Sequence, residues 1–150
     1  MPAGRALKRL GTVAGTLSAA LLLTVTQSSA ASPETERATD TKGPSNVYHW
    51  ECTHYGGTDA KAIGCFWDDG DWFMIEDTGL DGHSAVVDWE LLRGSSRFGG
   101  IFNASGFATT RYKNKNFPEG LTLRFRVCLG DWDTKTIIAG KCSRWMTRQT

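Results

Sequence analysis

The chain has 150 residues, of which 17 are basic and 16 acidic, and its formal net charge is +1. Hydrophobic residues make up 40% and charged residues 22%, a balance that favours a folded domain over a disordered chain. A net charge this close to zero excludes a strongly basic protein that binds polyanions by bulk charge alone.

The N-terminus predicts a secretory signal peptide over residues 1–30. Three basic residues precede an uncharged stretch over 10–26, and small residues then lead to a cleavage point after Ala30 or Ala31. The alternative is an N-terminal membrane anchor, but the uncharged stretch is short for a bilayer span and rich in Thr, Gly and Ser. We therefore expect a secreted, extracellular protein without a membrane span.

Residues 31–46 are predicted to be a polar linker, because the stretch lacks large apolar side chains. A single β domain is then expected over 47–150. A domain of about 100 residues buries only around 65% of its unfolded surface, so crosslinks would add useful stability.

All four cysteines follow the predicted signal peptide, and an even number in an exported chain predicts disulfides. We favour Cys52–Cys65 and Cys128–Cys142 among the three pairings, because each closes a short local loop. Each such loop stabilises the fold by about 3 kcal/mol in the chain-entropy description. The alternative, a metal cluster with neighbouring histidines, lacks a C-x-x-C spacing.

The segment GCFWDDGDWFMIED predicts a β-hairpin with Asp69-Gly70 as a two-residue turn. Counting outwards from the turn pairs Asp68 with Asp71, Trp67 with Trp72, Phe66 with Phe73, and Cys65 with Met74. Both faces of this ribbon are apolar, so we expect both to be covered at its base.

Two further segments alternate with the period of a strand. In SAVVDWELL and LTLRFRVC the predicted inward residues are Ala85, Val87, Trp89, Leu91, Leu121, Leu123, Phe125 and Val127. Weaker strands are expected over 47–52, 97–103, 106–112 and 136–145. No ten-residue segment has a convincing helical period, so the predicted fold is all-β: a small antiparallel β-sandwich or Greek-key barrel stapled by two disulfides.

The charges are distributed unevenly along the chain. Residues 40–90 contain eleven acids and two bases, whereas residues 91–150 contain eleven bases and three acids. Because the two halves intermix in one domain, charge complementarity inside the fold explains this more simply than two separate binding poles.

The compact basic run after residue 110 is the candidate binding site. With two arginines of a neighbouring strand it could bind an extracellular polyanion, a cell-wall polymer or a protein; these residues are Arg111, Lys113, Lys115, Arg124 and Arg126. A solvated basic edge that resists strand-to-strand aggregation is the simpler alternative. Nucleic acid is not the expected partner.

Asp68, Asp69 and Asp71 crowd the tip of the predicted hairpin and are candidate Ca²⁺ ligands, since a bound cation would relieve their repulsion. A solvated turn without an ion is the simpler reading, and no other cofactor is indicated.

No catalytic motif of a known spacing is present, and no catalytic residue is assigned. His83 and Ser84 are adjacent on a predicted strand and point to opposite faces, so they cannot form a base–nucleophile pair.

Most of the six Trp are expected in the core, although they could instead line a sugar-binding face. Asn103-Ala104-Ser105 matches a glycosylation sequon, but nothing in the sequence indicates that Asn103 is glycosylated.

The order of CFWDDGDWFMIEDT, LDGHSAVVDW, the PEG turn, LRFRVCLGD and CSRW resembles a group of small secreted actinobacterial proteins. The similarity extends over roughly residues 62–145. It implies secretion and a similar fold, and it implies no catalytic residue.

Together these observations predict a secreted, non-catalytic extracellular binding or interaction protein. The alternatives are a small hydrolase that uses Asp and Glu near the first hairpin, and a secreted protease inhibitor.

The signal-peptide prediction is tested by intact-mass spectrometry of secreted protein. The mature chain should begin at Ala31 or Ser32, because cleavage is expected after Ala30 or Ala31. Secreted material that still begins at Met1 would contradict the prediction.

Overall fold

The computed structural model describes residues 31–45 and 49–150, so the predicted signal peptide lies outside the described residues. Ten strands and no α-helix occur in this part of the chain. The strands are β1 (Glu34–Arg37), β2 (Glu51–Tyr55), β3 (Ala62–Trp67), β4 (Trp72–Asp77), β5 (Ser84–Leu92), β6 (Phe98–Asn103), β7 (Thr109–Asn114), β8 (Thr122–Asp131), β9 (Thr136–Cys142) and β10 (Met146–Gln149).

The strands form two sheets that pack face to face. The larger sheet has the order β1-β6-β5-β8-β10, with β9 also paired to β8, and the smaller has the order β2-β3-β4-β7. Every named pair is antiparallel except β1 with β6. The all-β prediction is therefore confirmed, and of its two forms the protein adopts the sandwich and not a closed barrel.

The first hairpin has the register that the sequence predicts. Trp67 lies opposite Trp72, and the pairs Phe66–Phe73 and Cys65–Met74 follow. Phe66 and Phe73 point into the sandwich, where their ring centroids are 5.0 Å apart. Alternation in β5 and β8 is confirmed as well: the side chains predicted to point inward are buried, except that Leu121 is half-buried just before β8.

Both predicted disulfides are present, Cys52–Cys65 and Cys128–Cys142. Each joins residues that lie directly opposite each other in neighbouring strands. The first therefore closes β2 onto β3, and the second holds β9 against β8.

The predicted polar linker over 31–46 contains β1, and its Ala38 side chain is buried in the core. This segment forms a strand without large apolar residues because backbone hydrogen bonds to β6 and ion pairs hold β1 in place. Gly99 on β6 permits the close approach: a Cβ at that position would lie 2.0 Å from the carbonyl oxygen of Glu34.

The predicted strand over 136–145 is two strands with a break between them. After β9 ends at Cys142, Ser143 bonds to Val127 through both its N–H and its hydroxyl oxygen, and β10 begins three residues later. The second strand pairs with the other end of β8.

Asn103 joins the two sheets. Its side chain is fully buried at the end of β6, and its amide donates to the carbonyl oxygens of Ile75 at 3.1 Å and Thr109 at 2.8 Å. Its carbonyl oxygen accepts from the Ser105 N–H and the Thr109 hydroxyl. The sequon asparagine therefore has a structural role that would be lost on glycosylation.

Asn103→Ala should lower the free energy of unfolding by roughly 2–4 kcal/mol, because it leaves buried carbonyl oxygens without donors. Chemical denaturation measures the loss. Ser105→Ala is the matched control: it removes the same sequon, but only the backbone N–H of Ser105 bonds to Asn103, so stability should not change. Equal stability of both variants would contradict the bridging role.

Candidate functional site

The five predicted basic residues do not form one surface. Arg111 and Lys113 lie on β7 of the smaller sheet, and Lys115 follows it, whereas Arg124 and Arg126 lie on β8 of the larger sheet. The prediction of a single basic binding site is corrected on this point, because the two sheets separate the groups.

Lys115 is a buried structural cation. Its side chain is only 3% exposed, and its ammonium nitrogen lies 2.7 Å from Glu34 and 2.6 Å from Glu36. The same nitrogen is 4.8 Å from the ring centroid of Trp89. A hydrogen bond from Arg97, together with Lys115, lowers the pKa of Glu34 to about 2 despite its partial burial. These contacts bind β1 to the sandwich and leave no ammonium for a ligand.

Arg124 and Arg126 are also paired. Arg124 contacts Glu90 and Arg126 lies 2.8 Å from Asp88, in both cases across neighbouring strands. Trp145 covers both guanidinium groups, at 4.6 Å and 4.3 Å from its ring centroid. Burial raises the pKa of Asp88, although the bond from Arg126 opposes the shift. This face of the larger sheet is therefore close to neutral.

The candidate Ca²⁺ ligands are not brought together. Asp68 and Asp69 are exposed in the turn, whereas Asp71 is buried and accepts the backbone N–H of Phe117 at 2.5 Å. Within the described residues, no three His, Cys, Asp or Glu side chains are arranged to hold a metal ion. The prediction failed because one carboxylate turns inward to bond the chain after β7.

The tryptophans are distributed differently from the prediction that most lie in the core. Trp89 is fully buried, and the other five are half-buried. Three of those five lie with a methionine and a tyrosine on the outward face of the smaller sheet. We call this group the outer aromatic surface: Trp50, Trp67, Trp72, Met74 and Tyr112.

The outer aromatic surface is assembled by strand register. Alternation directs Trp67 and Trp72 outward as a cross-strand pair, and Tyr112 lies opposite Met74 on the neighbouring strand. Trp50, which precedes β2, packs against Trp67 with ring centroids 5.8 Å apart and against Tyr112 at 6.0 Å. The rings therefore bridge three strands.

A cavity of about 270 Å³ adjoins this surface at Trp50. Its lining includes the ion pair between Glu51 and Arg148, at 2.7 Å, and the polar side chains of His49 and Gln149. An aromatic wall beside hydrogen-bonding groups is the usual composition of a small-molecule pocket.

A second cluster of polar side chains lies in the larger sheet, where β5 begins and β8 ends. His83 Nδ1 is 2.8 Å from a carboxylate oxygen of Asp131. Ser84, Trp132 and Thr134 line a cavity of about 410 Å³ with Asp131. A histidine oriented by a carboxylate can act as a general base through its other ring nitrogen. Asp131 lies 48 residues beyond His83, so no local sequence pattern indicates that the two side chains meet.

Asp77 is buried at the end of β4, close to the loop that leads to His83. One carboxylate oxygen accepts the N–H of Gly79 at 3.2 Å, and the other has no hydrogen-bond partner in the described structure. Burial raises the pKa of Asp77 from 3.8 to about 6, and the nearby charge of Asp81 adds to the shift.

No family model, curated protein or solved structure matches this chain. Within residues 31–45 and 49–150, no helix has the length and apolarity needed to cross a bilayer.

Replacing Asp77 should change how stability depends on pH. Because its pKa is higher in the folded protein, the charged carboxylate costs stability above pH 6, and this cost disappears as the pH falls from about 6 towards 3.8. Asp77→Asn cannot take up that proton. The melting temperature of the wild type minus that of the variant should therefore rise on acidification over this range.

Thermal melts at a series of pH values measure the difference, and Asp59→Asn at an exposed turn is the control. Parallel melting curves for the wild type and Asp77→Asn would contradict the assignment.

Proposed function

We propose that this protein is secreted and binds an extracellular ligand without catalysis, and that the outer aromatic surface is its binding site. The observation that carries the proposal is the half-buried group of three Trp, one Tyr and one Met on a sheet face that points away from the core. Apolar side chains left in contact with water cost roughly 25 cal/mol per Å², so a cluster of them favours a binding role.

Secretion is supported by the two disulfides, which persist in oxidising compartments and stabilise small exported domains. The signal-peptide prediction for residues 1–30 adds to this. The five side chains of the outer aromatic surface lie on a sheet that a disulfide crosslinks. Because they are already held in place, little conformational entropy is lost when a ligand binds.

Polyanion binding through the basic residues is not part of the proposal. Lys115 is buried among carboxylates, and the guanidinium groups of Arg124 and Arg126 are paired and covered by Trp145. A phosphate or sulfate would have to displace those partners.

The test is retention of the pure protein on insoluble extracellular polymers, including wall polysaccharide and peptidoglycan, with soluble product assayed in parallel. Trp67→Ala should reduce retention about tenfold, since ring contacts to a ligand contribute on the order of 1 kcal/mol or more each. Trp145→Ala is the matched control, because that Trp lies on the other sheet. Equal losses in both variants, or none in Trp67→Ala, would contradict the proposed site.

A second candidate function is hydrolysis at His83. Asp131 would hold the ring with Nδ1–H donating to it, and Nε2 would take a proton from water as the hydroxide attacks an ester or amide carbonyl carbon. The leaving group would then depart with that proton. This arrangement replaces the hairpin carboxylates as the hydrolytic alternative, because Asp71 is buried and bonded to Phe117 while Glu76 lies on the outward face.

Product released in the same assay, and lost in both His83→Gln and Asp131→Asn, would favour hydrolysis over simple binding. Retention without product in the wild type favours the binding proposal.

A further inference from the structure

We infer that the ligand of the outer aromatic surface is a cationic glycan, a polysaccharide whose sugar units carry free ammonium groups. The inference rests on the proposed function and adds the chemical class of the ligand. The juxtaposition that supports it is an aromatic cluster next to three carboxylates that form no ion pair within the described residues, Asp68, Asp69 and Glu76.

The charge next to the surface is negative. Asp68 and Asp69 form the exposed turn that joins Trp67 to Trp72. Glu76 lies two residues after Met74 in the same strand and so points to the same face. These three acids form no ion pair in the described part of the chain.

No Lys or Arg occupies an outward position of the three strands that carry the rings. The outward positions are Ile63, Cys65 and Trp67 of β3, Trp72, Met74 and Glu76 of β4, and Thr110, Tyr112 and Asn114 of β7. Arg111 and Lys113 on β7 occupy the alternate positions, and Lys113 lies 3.9 Å from Glu36 of β1. The outward face of these strands therefore carries one acidic side chain, Glu76, and no Lys or Arg.

An anionic ligand would be repelled by these carboxylates, whereas an ammonium group would be attracted both to them and to the electron-rich faces of Trp and Tyr. Charge complementarity therefore selects a cationic ligand.

The place of the cluster favours a glycan over a basic polypeptide. Extended peptides commonly bind by adding a strand at a sheet edge, where main-chain groups are free. The rings here lie on the face, where the main chain of β3 and β4 is already paired on both sides. At the β7 edge, Asp40 occupies the N–H and carbonyl of Tyr112. Sugar rings need no main-chain partner, because their C–H faces pack on aromatic rings.

The adjoining cavity has groups for the polar edge of one sugar unit. Its lining includes Asp68 next to Trp50, together with His49 and the ion-paired Glu51 and Arg148, so the Asp68 carboxylate and an aromatic wall are available together. A chain laid across the rings could therefore place one unit in the cavity.

Chitosan and chitin test the inference, because they share a backbone and differ in whether the amine is free or acetylated. The wild type should be retained on chitosan about tenfold more strongly than on chitin, and added salt should weaken the retention. Glu76→Gln should lower retention on chitosan roughly threefold, as expected for one exposed charge pair. Trp67→Ala should abolish most of it, and Trp145→Ala should not change it.

Circular dichroism monitors folding of each variant, and Trp50→Ala, outside the strands, replaces Trp67→Ala if the latter does not fold. Equal retention on chitin and chitosan, or unchanged retention of Glu76→Gln, would overturn the inference. So would retention on immobilised polylysine but not on chitosan, which would identify a basic polypeptide as the partner.

The experiments distinguish failure of the proposed binding site from failure of the cationic glycan as its ligand. If Trp67→Ala loses binding to another wall polymer while chitosan is not bound, the proposed binding site stands and the cationic glycan does not. If neither Trp67→Ala nor Trp50→Ala affects binding to any polymer, both fail.

Discussion

The sandwich depends on a buried asparagine at the end of one sheet that bonds to backbone groups of the other. Asn103 ends β6 in the larger sheet and donates to the carbonyl oxygen of Ile75 in β4 of the smaller one. It also closes the turn into β7 through Thr109. A polar group in this position is stable only because all of its hydrogen bonds are made. Since β4 and β7 carry much of the outer aromatic surface, the same side chain helps to position the candidate binding site.

Three ion pairs join the acidic half of the chain to the basic half, Glu90–Arg124, Asp88–Arg126 and Glu51–Arg148. Six of the eleven basic residues after position 90 contact carboxylates of earlier segments, and three of these six residues contact Glu34 or Glu36 in β1. Four of the five basic residues predicted to bind a polyanion are therefore paired within the fold: Lys113, Lys115, Arg124 and Arg126. Three of the acids without an ion pair in the described part of the chain, Asp68, Asp69 and Glu76, lie next to the outer aromatic surface, and the proposed ligand is chosen to match them.

Residue type alone does not predict which tryptophans lie in the core. A small sandwich needs bulky side chains in its core, and Trp89 meets that need together with Phe66, Phe73, Phe117 and Phe125. The five half-buried Trp lie outside this set, and three of them belong to the outer aromatic surface.

Local pattern in the sequence determined the first hairpin, its register, the inward rows of β5 and β8, and the two disulfides between nearby cysteines. These features depend on turn chemistry, the two-residue period of a strand and short loop closure, all of which act between residues close in the chain. The tertiary structure alone decided that β1 joins the larger sheet, that Lys115 is buried, and that His83 meets Asp131. It also decided that Trp50 packs against Tyr112. Each of these contacts joins segments far apart in sequence, and only the packing of the two sheets determines which of many polar and aromatic residues meet.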